Sequence, residues 1–233
     1  MADTFSLTSS FDSRKEQRRD SGLADTLTPS RYNLVLTGML VYGFLVDAVM
    51  VAFLSEPLLG LMARMGLWGM VLLYIVPMIL GMVIAFKSDN PMVSFLGYNL
   101  VVLPLGLLLV LVVPGLPAQI VTKAMLITAF VSMMLMLLGT VFPTFFLGLG
   151  RTLFWSVLIG VVAELICTFL FHYQGSAFDW LFVVLFSGYI GFDVARAQAY
   201  PKTLDNAIDS AVDIYTDIVI LFVRILSLLS RRD

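Results

Sequence analysis

Six apolar stretches dominate this chain, each near the length of about 20 residues that a helix needs to cross a bilayer. They are Tyr32 to Leu54, Leu67 to Phe86, Met92 to Val113, Ile120 to Phe142, Leu153 to Phe171 and Phe178 to Ala197. The breaks between them carry turn chemistry, at Ser55 to Pro57, Lys87 to Pro91, Pro114 to Pro117, Phe142 to Arg151 and His172 to Asp179. No soluble domain fits between the stretches. Hydrophobic residues make up 60% of the 233 and charged residues 13%, outside the soluble range. The expected fold is therefore an all-α integral membrane protein, with one membrane domain over residues 31–233. Residues 1–30 are polar, charged and poor in aliphatics, and read as a disordered tail. No apolar segment follows a basic patch at signal-peptide distance, and the acidic residues of the tail argue against a transit peptide.

A seventh helix, from about Asn206 to Leu229, differs from the other six. Asp205, Asp209, Asp213 and Asp217 recur every fourth residue, which stacks them on one helix face. A charge at bilayer depth costs at least about 2.5 kcal/mol, so these carboxylates must face protein or water and mark a functional site. This helix is expected to be the most enclosed, at the centre of a bundle of seven. Asp205 and Asp209 read as helix-start residues favoured by the dipole and bathed in water, although Asp209 also stands beside Asp213 on a candidate ion path. Asp213 and Asp217 lie deeper.

Basic residues orient the chain. With the N-terminus cytoplasmic, one side collects Arg14, Lys15, Arg18, Arg19, Arg31, Lys87, Arg151, Arg196 and Lys202, and the other only Arg64 and Lys123. Compact loops and the lack of organelle signals point to a bacterial inner (plasma) membrane, and the length of the last apolar run favours seven crossings. A full seventh crossing puts Arg231 and Arg232 outside, whereas a re-entrant last helix would keep them inside. A net charge of −2 gives no basic surface for nucleic acid, and the lone Cys167 excludes a disulfide within the chain.

The segment Ser187 to Gln198, SGYIGFDVARAQ, followed by Ala207 to Leu229, AIDSAVDIYTDIVILFVRILSLL, resembles the C-terminal signature of the Bax-inhibitor family. Phe192-Asp193 stands for the aromatic-Asp pair that ends the sixth helix, and Ile214 to Phe222 for the acidic stretch of the seventh. Thr216 replaces an apolar residue, Ile220 stands where Asn is frequent, and Phe192 replaces the usual Tyr. The resemblance implies a central helix wrapped by the other six and a calcium leak gated by an aspartate pair, here Asp193 and Asp217. It also implies a basic latch closing the second helix, for which Lys87 is the nearest match, although Lys lacks the planar fork of Arg.

Residue chemistry leads the same way. Calcium takes six to eight oxygens, and carboxylates facing a hydrated cavity are what a permeating divalent ion would meet, which suits Asp193 and Asp217, the pair that the resemblance implies, as calcium ligands. Two carboxylates close together resist ionising at once and share a proton, which makes a pH sensor. Asp47 and Glu164, each flanked by apolar residues, should face the interior, either on an ion path or paired with a neighbouring helix. Arg224 shares the face of Asp217 and reads as an ion-pair or snorkelling residue. Arg196, about one turn beyond Asp193, is the substitute for Lys87 as the latch. Arg231 reads as part of an exposed tail.

The resulting expectation is a pH-sensitive calcium-leak channel whose partners are the lipid bilayer, calcium ions and protons. Two alternatives use the same residues: a proton-coupled exchanger, and a regulatory scaffold for other membrane proteins. An enzyme is not expected. An intramembrane aspartyl protease would need glycines where Ile190 and Phe192 stand and a Pro in the last helix. No resident cofactor is called for, and a zinc site at the sole His172 lacks a second His or Cys nearby. The glycines at 66, 69, 139, 148 and 150 read as positions of close helix approach.

Overall fold

The computed structural model describes residues 26–231 apart from Gln174 and the side chains of residues 67, 68, 70 and 71. Residues 1–25 of the expected tail, with Arg232 and Asp233, lie outside the described residues. Those described form seven helices and no strand: α1 (Pro29–Phe53), α2 (Ser55–Lys87), α3 (Pro91–Val112), α4 (Ala118–Val141), α5 (Pro143–Phe171), α6 (Ala177–Ala199) and α7 (Leu204–Ser230).

Local sequence sets most starts. Proline needs no N–H partner and has a helical φ, so it suits the first turn. Thr28 precedes Pro29 and accepts from the Arg31 amide, and Asn90 precedes Pro91 and accepts from the Met92 amide at 3.0 Å. Thr203 caps α7 through the Asn206 amide at 3.1 Å. Two spans begin earlier than their hydropathy suggests. Ser55 to Met65 is already helical, and only Gly66, at φ 63°, breaks α2 before its apolar part. The segment Phe142 to Arg151, expected to be a turn, is mostly the first part of α5, because Pro143 starts a helix and the glycines after it are tolerated there. An added Cβ at Gly150 would lie 2.5 Å from the Phe192 ring, so that glycine admits α6.

Five helices, α1, α3, α4, α5 and α6, are long and apolar enough to cross a membrane. In α2 the apolar part is Leu72–Lys87, and α7 carries Asp205, Asp209, Asp213, Asp217 and Arg224 along its length. The last helix is nonetheless the most enclosed. Eighteen of its 27 residues are buried, against three of 29 in α5. It packs against α1, α3, α4 and α6, while α2 leans chiefly on α3 and α5 on α6. The enclosure is thus made by four neighbours rather than by all six. Outward faces are apolar, with Phe53, Leu126, Ile159 and Phe169 all exposed, as a lipid solvent requires.

Close backbone approach fixes part of this packing. A Cβ at Gly139 would lie 2.5 Å from the Gly191 carbonyl oxygen, so α4 and α6 meet backbone to backbone. Gly66 and Gly148 have open space instead, and Gly69 meets only Met65 of its own helix, so these three admit no neighbouring helix.

Candidate functional site

Helices α6 and α7 run back to back from the turn at Tyr200 to Thr203, which brings Asp193 and Arg196 opposite Asp213 and Asp217. On α6, Asp193 and Arg196 are three residues apart and share a face. Arg196 Nη2 lies 2.7 Å from Asp193 Oδ1 and 2.5 Å from Asp213 Oδ2. One guanidinium therefore ties a residue of its own helix to one of the next. Its plane also lies against the Phe192 ring, 5.2 Å from the centroid.

Asp217, four residues beyond Asp213, is buried, and its carboxyl stands close enough to that of Asp193 for one proton to bridge them. An ionised carboxylate only accepts, so a bond between two carboxyl groups requires one proton between them. Among the described residues no donor reaches Asp217 Oδ2. Four groups on two helices thus bring one cation and three carboxyls into one place. Tyr189, a turn before Asp193, stands within electrostatic reach of both carboxyls.

The four-residue spacing does not keep the whole stripe on this site. Each step advances the helix about 40° past a full turn, so Asp205 and Asp217 differ by about 120° around α7. Asp205 accordingly meets α3, accepting from Ser94 Oγ at 2.6 Å. Both Asp205 and Asp209 are buried, at 5% and 1% exposure, which corrects the expectation that they sit in water. Neighbouring helices cover the start of α7 because it begins inside the bundle. Asp47 lies on a different face again, accepting from Tyr215 Oη at 2.6 Å, and so pairs α1 with α7 apart from the Arg196 cluster.

Lys87 is exposed at the end of α2 and forms no ion pair among the described residues. The cation beside Asp193 is Arg196, so the geometry expected of a latch falls on α6 rather than α2. A second cluster lies toward the other end of α7. Arg224 binds Glu164 of α5 through two contacts, Nη1 to Oε1 at 2.5 Å and Nη2 to Oε2 at 2.7 Å, and reaches Asp179 of α6 at 3.1 Å. Ser227 donates to Asp179 at 2.9 Å, and Arg231 stands 3.5 Å from it, so Arg231 takes part in the bundle rather than in a free tail.

Other contributors escaped the sequence reading. Lys202, in the turn between α6 and α7, donates to the carbonyls of Ala197 and Gln198 at 3.1 and 2.9 Å and lies 4.4 Å from the Tyr32 ring centroid. Burial pushes its pKa below the usual lysine range. Tyr32 Oη bonds Ala197 O and Ser210 Oγ, so this corner fixes α1 against the turn that sets the α6–α7 register. Asp179 and Tyr215 gave no signal in sequence, because their partners are tens of residues away. Arg196 did give one in its spacing from Asp193.

Apolar-faced helices around an enclosed acidic one define a multi-pass membrane protein with an internal carboxyl site. Among the described residues no group of three or more His, Cys, Asp or Glu is arranged to hold a metal ion. Residues 27–233 match the family described as "Inhibitor of apoptosis-promoting Bax1", and the chain belongs to this Bax-inhibitor family. No curated protein and no solved structure shows significant similarity to it.

Proposed function

We propose that the protein is a pH-sensitive calcium-leak channel in which Asp193 and Asp217 are the sensor and Arg196 is the latch. The observation that carries this reading is the close approach of the two buried carboxyls, with no donor on Asp217 Oδ2 among the described residues. With one proton the pair is a closed contact. Without it, two negative charges face each other, Arg196 stays with Asp193 and Asp213, and Asp217 is left to separate or to accept a cation. A calcium ion is the cargo suited to such oxygens, and the carboxyls serve it transiently rather than as a resident metal site.

In this reading the chain makes seven crossings of a bacterial plasma membrane with its N-terminus cytoplasmic. The Lys and Arg asymmetry supports that orientation, and the length of α7, 27 residues, supports its crossing inside the bundle. The protein works as a conductor without covalent chemistry or a cofactor. Purified wild-type protein in liposomes loaded with a calcium indicator tests this directly. Calcium entry above that of empty liposomes, changing with pH, is expected, and entry equal to that of empty liposomes contradicts the channel.

A further inference from the structure

A cavity of about 670 Å³ opens beside the second cluster, away from the α6–α7 turn. Its walls include Glu164, Asp179, Arg224 and Ser227, and its apolar lining includes Leu108 and Ile220. Ile220 is one helical turn past Asp217, so this space approaches the carboxyl pair along α7 from the side opposite Arg196. Arg224 is half-buried in the cavity wall, clamped by Glu164 and Asp179 and lying 4.3 Å from the Phe182 centroid. A fixed cation at this point is seven residues, roughly 10 Å, from Asp217.

We propose that this cavity is the outer vestibule of the same ion path, and that Arg224, balanced by Glu164, sets how readily a divalent cation passes through it to Asp217. The proposal rests on the channel reading above. Charges lining a mouth with low-dielectric walls govern the local concentration of ions of opposite sign. The two side chains form one contact but carry opposite charges. Removing Arg224 makes the vestibule more negative, and removing Glu164 makes it more positive. A purely structural pair would instead respond to either loss in the same direction.

Calcium flux through the full chain in proteoliposomes separates these cases. At roughly 10 Å in a water-filled mouth, one unit charge acting on a divalent ion changes its local concentration by about fourfold. Arg224→Gln should therefore raise the leak about fourfold and Glu164→Gln lower it by a similar factor, with the double variant near wild type. The pH midpoint should move by no more than about 0.3 pH unit in either single variant, upward in Arg224→Gln, which loses a cation, and downward in Glu164→Gln, and should return in the double variant. Leak changes of the same sign in both single variants, or a midpoint shift well beyond about 0.3 pH unit, overturn the proposal while leaving the carboxyl sensor standing. Wild-type flux no greater than that of empty liposomes removes the channel reading, and the vestibule with it. Should Arg224→Gln fail to assemble, Ser227→Cys in a Cys167→Ser chain supplies the second test. It should react with a membrane-impermeant cationic thiol reagent, and faster with Glu164 present than with Gln there. No reaction, or a rate indifferent to residue 164, overturns the vestibule.

Discussion

Two arginines divide the polar interior of this bundle, and their surroundings differ in one respect. Arg224 and Arg231 meet two carboxylates, Glu164 and Asp179, with Ser227 supplying a further donor, so charge and hydrogen bonding are balanced there. Arg196 meets Asp193 and Asp213, and a third carboxyl, Asp217, is packed against them with an oxygen that no described residue satisfies. A balanced cluster holds helices together. An overfilled one, in the function proposed above, holds them conditionally, because its carboxylates repel one another unless a proton is shared. Three carboxyls share the one guanidinium of Arg196, against two carboxylates for two guanidiniums in the other cluster.

Substitutions can break or sharpen this contrast. Arg196→Ala strands Asp193 and Asp213 without their cation and should cost about 3–5 kcal/mol, read as thermal unfolding of the purified protein in detergent. Arg224→Ala should cost less, about 1–3 kcal/mol, because Glu164 is 27% exposed and Arg231 still stands beside Asp179. Equal losses would mean that the two clusters do not differ as described. Ser227→Ala removes one donor from Asp179 and should cost about 1 kcal/mol in the same assay. Lys87→Ala, at an exposed position, should stay within about 0.5 kcal/mol of wild type and leave the leak and its pH midpoint unmoved. A raised leak in that variant would return the latch to α2.

Much of this contrast was legible in the chain itself. The stretches from Tyr32 to Ala197 determine the class of fold, because helices in lipid depend on local apolar runs and local caps. The stripe on α7 announces an interior acidic helix, since no carboxylate there could face lipid. What could not be read was which face meets which helix. The 40° drift of a four-residue repeat, small per step, carries Asp205 to Ser94 on α3 and Asp217 to Asp193 on α6. Pairings such as Asp179 with Arg224 and Asp47 with Tyr215 join residues 45 and 168 apart. They depend on helix packing that no local pattern encodes. Lys87 drew attention by its place at a helix end, yet Arg196 is nearer by spacing alone.

The central claim is that one proton, shared by Asp193 and Asp217, sets the state of the path. Calcium flux into proteoliposomes measured across pH, for wild type against Asp217→Asn, tests it most directly. The substituted amide can still donate a hydrogen bond to Asp193 but cannot lose a proton in this range. The wild-type leak should change through a single pH midpoint. The Asp217→Asn leak should be flat, at the value that wild type shows on the acid side of that midpoint. A variant that keeps the wild-type pH profile would contradict the account.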